Sequence, residues 1–90
     1  MKAYQRLAHD AIRVLEEYGW RQRLLGDEQH GFCLLGAIRK AGNGKGYTKN
    51  TYNNIFQKIY DHKGGTLSFN DHKDTTKEMV IETLKWVERN

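Results

Sequence analysis

Proline is absent from this sequence, and cysteine occurs once. A single thiol cannot form an intrachain disulfide, which excludes the stapled scaffolds of small secreted proteins. Long apolar runs are missing too. The longest uncharged apolar stretch covers residues 32–38, far short of the roughly 18–20 residues that span a bilayer. The opening Met1-Lys2-Ala3-Tyr4-Gln5-Arg6 leads into charged sequence and lacks the apolar run of a signal peptide. A soluble, reducing, cytoplasmic setting without membrane contact is therefore expected. With no proline to break it, the chain is punctuated by glycine. Gly19, Gly26, Gly31, the Gly42/Gly44/Gly46 group and the Gly64-Gly65 pair fall where the apolar periodicity stops. Only Gly36 lies inside a helical pattern.

What is present is enough for one domain, residues 1–90, with a thin core. Ten aromatics (two Trp, five Tyr, three Phe) and clear periodicity argue for a folded chain. The pattern predicts a mainly α domain of about four helices, with a short hairpin near 20–31 and an extended stretch at 66–69. Across residues 2–18, Tyr4, Leu7, Ala8, Ala11, Ile12, Leu15 and Tyr18 recur at three- and four-residue steps, and Gly19 closes the helix in a left-handed conformation. Arg21-Gln22-Arg23-Leu24-Leu25 reads as one hairpin arm before the polar turn at 26–31. A second helix over 32–41 is apolar on most sides, and Gly36 within it implies close approach by another helix. A third starts at Thr48 or Asn50, with Tyr52, Ile55, Phe56, Ile59 and Tyr60 facing inward. The last opens on Thr75-Thr76-Lys77-Glu78, read as a Thr-x-x-Glu capping box, and turns Met79, Val80, Thr83, Leu84 and Val87 inward, with Trp86 on the flank.

The net charge of +4 is unevenly placed. Residues 1–30 carry five bases and five acids, and residues 64–90 carry four bases and five acids. Residues 31–63 carry six bases against Asp61 alone. Arg39, Lys40, Lys45, Lys49, Lys58 and Lys63, interleaved with Tyr47 and Asn53, thus form the candidate binding set. Such a surface suits phosphates, bases or an acidic protein. The plain alternative is a solvated lysine-rich face that keeps a small protein soluble. The connection between the second and third helices is too long and glycine-rich for a helix-turn-helix.

The chemical constellations are weaker. Gly42-Asn43-Gly44-Lys45-Gly46 fails as a phosphate loop, because Gly46 follows Lys45 and Arg39 stands where the first glycine belongs. Cys33 lies in the first turn of a helix, and His62, His72, Asn70 and Asp71 follow it in the order nucleophile, then base, then orienting group. Its neighbours Phe32, Leu34 and Leu35 are those of a buried core thiol, the preferred reading. His30-Gly31-Phe32-Cys33 has the spacing of half a zinc site, but no second close pair completes it. No metal or cofactor is expected. Asn70-Asp71 reads as a turn-and-cap device ahead of the last helix.

The order Gly19-Trp20, then Cys33-Leu34-Leu35-Gly36-Ala37, then Asn70-Asp71 before a Thr-initiated final helix resembles an uncharacterised domain family of actinobacteria and their phages. Phe69 stands where that family carries tryptophan, and Arg21 where a second cysteine is common, which argues against a shared dithiol or metal site. The resemblance implies a mainly helical fold and a phage or mobile-element setting, hence a host-cell cytoplasm, and it implies no mechanism. The functional expectation is a non-enzymatic accessory factor, anti-host or anti-defence, docking on a host protein or protein–nucleic-acid complex through residues 39–63. Two rivals stand beside it. One is a sponge for an anionic nucleotide signal held by Lys45, Lys49 and the glycine-loop amides; the other is a cysteine hydrolase or transferase using Cys33. A homodimer is compatible with the thin core.

Overall fold

A computed structural model describes all residues, 1–90. Helix α1 spans Ala3–Tyr18. Its first turn is held by Gln5, whose side-chain oxygen accepts the Lys2 N–H at 2.8 Å. Tyr4, Leu7, Ala8, Ala11, Ile12 and Leu15 are buried, the stripe that the spacing predicts. α1 is the central element, and every other long helix packs on it. Complete burial of Leu7 and Leu15 stabilises the fold by roughly 1.5–3 kcal/mol each.

Gly19 ends α1 with its N–H on the Leu15 carbonyl. Its φ is positive, 96°, but its ψ of 172° is extended rather than left-handed helical. Phe32 N–H donates to Gly19 O at 2.9 Å, and Arg21 N–H to Phe32 O at 3.1 Å. The predicted hairpin is present and shorter: β1 Gly26–Asp27 pairs antiparallel with β2 Gly31–Phe32. Residues 21–25 are a loop, not an arm. Asp27 builds the turn by accepting the Gln29 and His30 amides on Oδ1.

Because the Phe32 backbone is taken by Gly19 and Arg21, α2 begins two residues later than predicted and spans Leu34–Gly42. The loop backbone comes so close to it that a Cβ on Gly36 would strike the Leu25 carbonyl oxygen. The glycine does mark a close approach, but by a loop rather than by a helix.

Helix α3, Lys49–Lys63, starts on Thr48, which accepts the Thr51 N–H, and ends at Gly64 with φ 83°. Thr51, Ile55 and Ile59 fill its buried face, while Tyr52 and Phe56 are half-buried. Tyr60 is 60% exposed and not a core residue. One residue beyond Ile59, it is turned about 100° around the helix, away from the core.

The predicted extended stretch is instead helix α4, Thr66–Asp71. Phe69 and Asn70 are adjacent and both buried. A strand would point them to opposite faces; a helical turn places both inward. Helix α5, Lys77–Arg89, is capped one residue later than predicted, by Thr76 Oγ1 on the Met79 N–H. Thr75 is buried and donates to the Phe69 carbonyl at 2.7 Å. Val80, Thr83, Leu84 and Val87 face the core, but Met79 is 39% exposed. The element set is mainly helical around one core, and no helix is long and apolar enough to cross a membrane.

Candidate functional site

Asn70 is fully buried, and its side chain is saturated with hydrogen bonds. Oδ1 accepts Trp20 Nε1–H at 2.6 Å and the Leu34 N–H at 2.9 Å. Nδ2 donates to Arg21 O at 3.2 Å and to Asp71 Oδ1 at 2.9 Å. These four bonds use two donors and two acceptor positions, all that a carboxamide offers. Asn70 does cap a helix, but it is α2, thirty-six positions away, and not α5.

Neighbouring groups extend the network. Gln22 Nε2 donates to the carbonyls of Asn70 and His72, at 3.0 and 2.8 Å. Asp71 Oδ1 accepts the Arg23 N–H at 2.8 Å. That backbone amide, then the Asn70 amide, hold the Asp71 carboxyl below its ordinary range. Arg23 sits at φ 77°, a conformation that non-glycine residues rarely adopt. At the far end of the loop, Cys33 N–H donates to Leu25 O at 3.1 Å. Trp20, Gln22, Asn70, Asp71 and Cys33 therefore all fix the 20–25 loop. Its tip presents Leu24 and Leu25, 59% and 45% exposed.

The four candidate catalytic residues do not meet as a reactive group. Cys33 is 1% exposed, and its Sγ accepts the Gly36 N–H at 3.3 Å as the N-cap of α2. His62 stacks flat on Trp86, ring centroids 4.0 Å apart. His72 Nδ1 faces the Asp74 N–H at 3.1 Å. His30 turns its ring to Asp27 at 3.0 Å. No three of the His, Cys, Asp and Glu side chains stand together as a metal-holding group.

The eight basic, aromatic and amide candidates are distributed. Arg39 and Lys40 share an open depression of about 310 Å³ with Leu25, Phe32 and Gly36. Lys40 Nζ lies 3.2 Å from Glu28 and 5.9 Å from the Tyr18 ring. The Tyr18 hydroxyl, then Lys40, hold the Glu28 carboxyl below its ordinary value. Lys58 lies over Tyr4 at 5.7 Å, and Lys63 over Phe69 at 5.2 Å. Tyr47 is half-buried with its ring edge-on to Tyr52, and burial raises its hydroxyl. Lys45, Lys49 and Asn53 are exposed. In the glycine loop, the Asn43 and Lys45 amides already donate to Lys40 O and Gly42 O. Gly44 and Gly46 stand in open space at positive φ.

Sequence reasoning missed the roles of Trp20 and Gln22 and the exposure of Tyr60. The paired signals Gly19-Trp20 and Asn70-Asp71 pointed at the network without showing that they touch.

Fold and site together define a small helical domain whose most connected polar group is structural: a buried carboxamide hub that sets one loop and one helix N-terminus. Residues 2–90 match a family described as "Family of unknown function (DUF6197)", and the chain belongs to it. No curated protein and no solved structure matches the chain.

Proposed function

We propose that this protein is a non-enzymatic binding domain that docks on a macromolecular partner through the basic surface of residues 39–63. The resemblance noted in the sequence adds the setting: a phage or mobile-element accessory factor acting on a host protein or protein–nucleic-acid complex. One observation carries the reading. The side chains that could do chemistry are engaged in holding the fold, Cys33 as a buried cap and Asn70 as a saturated hub. Arg39, Lys45 and Lys49, in contrast, are exposed cations outside every ion pair and ring contact of the chain. Free cations on one stretch favour encounter with a polyanion or an acidic surface.

The test is a pull-down from host lysate, with and without nuclease, using the parent and an Arg39→Ala/Lys45→Ala/Lys49→Ala variant. A partner retained by the parent at moderate salt and lost by the variant supports the reading. Retention of no partner in either arm, or equal retention by the variant, refutes it. The rival cysteine-enzyme reading is met by an activity-based thiol probe: labelling of Cys33 in the folded protein at neutral pH would revive it.

A further inference from the structure

The outward face of α3 is unusual in composition. Lys49, Asn53, Gln57 and Tyr60 recur at three- and four-residue steps, so they form one stripe along the helix. From Lys49 to Tyr60 the stripe is about 16 Å long at the α-helical rise. All four residues are exposed. Asparagine is a poorer helix former than lysine, glutamate or alanine, yet Asn50, Asn53 and Asn54 all stand here. The side-chain hydrogen bonds within this helix are the Thr48–Thr51 cap and the bond from Gln57 Nε2 to Asp61 at 2.8 Å. The asparagine carboxamides are thus left free for a partner. Gln57, tethered through its amino group, leaves its carbonyl oxygen without a partner in the chain, available as an acceptor.

At the C-terminal end of the stripe lies an open depression of about 520 Å³, lined by Asn53, Phe56, Gln57, Tyr60, Gly65 and Thr66. It combines an exposed phenol ring, a half-buried phenyl ring and two carboxamides. An aromatic face with adjacent hydrogen-bonding edges is the chemistry that receives an unpaired base. Lys49, one helical turn before Asn53 and outside any ion pair of the chain, supplies a cation where a phosphate would follow. The one carboxylate on this face, Asp61, is occupied by Gln57.

We propose that this face binds single-stranded nucleic acid: Tyr60 stacks a base, Asn53 and Gln57 contact its edge, and Lys49 takes a neighbouring phosphate. The inference rests on the binding reading above and names the partner's chemistry. A duplex is the poorer fit, because its base faces are already stacked and unavailable to Tyr60.

The experiment is fluorescence anisotropy with a labelled oligoadenylate of about ten nucleotides, as RNA and as DNA. The matching duplex and AMP serve as comparison ligands. The expected result is saturable single-strand binding that Tyr60→Ala weakens by about tenfold or more and Tyr60→Phe leaves within about twofold. Lys49→Ala makes the logarithmic salt dependence shallower by about 0.7. Since Tyr60 is 60% exposed, Tyr60→Ala should melt with the parent, so lost binding is not lost folding. Failure of both single strands to bind, binding indifferent to Tyr60→Ala, or tighter binding of duplex or AMP overturns the proposal. A nuclease-resistant protein partner in the pull-down, together with unbound oligonucleotides, would overturn this inference and leave the docking reading standing. Loss of every partner would overturn both.

Discussion

Asn70→Ala should be the most damaging single truncation of a polar residue in this protein. It removes the acceptor shared by Trp20 Nε1–H and Leu34 N–H and the donor held by Arg21 O and Asp71. Each buried group left without a partner costs about 1–3 kcal/mol. The Leu34 amide bears the full penalty, since it lies inside the core, whereas Trp20 is half-buried and regains some water. The cavity left by the carboxamide adds about 1 kcal/mol. The total is about 3–5 kcal/mol, against about 5–13 kcal/mol for an ordinary domain of this length. The midpoint of thermal unfolding, followed by circular dichroism, should therefore fall by roughly 15–30 °C. Trp20→Phe removes the N–H together with part of the indole and keeps an aromatic ring at the site. Combined with Asn70→Ala it should show a coupling of about 1–2 kcal/mol, because the two changes delete one bond. A melting point within a few degrees of the parent, or strictly additive effects, would show that the hub does not hold the 20–25 loop.

Gly36→Ala should destabilise by more than about 2 kcal/mol in urea unfolding, outweighing a helix-propensity gain of roughly 1 kcal/mol, because the new methyl meets the Leu25 carbonyl. Cys33 should resist a thiol reagent in the native state and react fully in denaturant; fast native labelling would contradict its burial. Cys33→Ser, which keeps an N-cap acceptor, should be milder than Cys33→Ala, and their melting points measure the cap at about 1 kcal/mol. Asp71 has a lowered carboxyl pKa in the fold, so its stabilising contribution is complete above the ordinary aspartate value of 3.8 and is lost as pH falls through the lowered one. Unfolding measured from neutral pH downward should show that loss below about pH 4, and Asp71→Asn should reduce it.

Local physics carried much of this fold into the sequence. The α1 stripe, the Thr48 start of α3, the inward Val80, Thr83, Leu84 and Val87 of α5 and the glycine at the end of α3 are all settled within a few neighbouring residues, although Met79 is not inward as expected. Errors arose where a distant group competed. Phe32 left α2 because Gly19 and Arg21 claimed its backbone. Thr75 gave up the α5 cap to bond Phe69, and residues 66–71 coiled into a turn so that Phe69 and Asn70 could both be buried. Tyr60 shares the three- and four-residue spacing of the α3 stripe, yet it lies at the stripe's edge, and its angle around the helix points it outward.

The candidate site divides in the same way. The absence of proline, the lone cysteine and the glycine breaks were enough to identify a small helical chain without disulfides, and the concentration of cations in residues 31–63 needed no structure. That Cys33 is a sealed cap could be suspected from its apolar neighbours. That His62 stacks on Trp86 could not, since packing between helices decides it. The bond from Trp20 to Asn70 spans fifty positions. A periodicity that repeats every few residues carries no information on such a pairing, and only the folded chain brings the two side chains together.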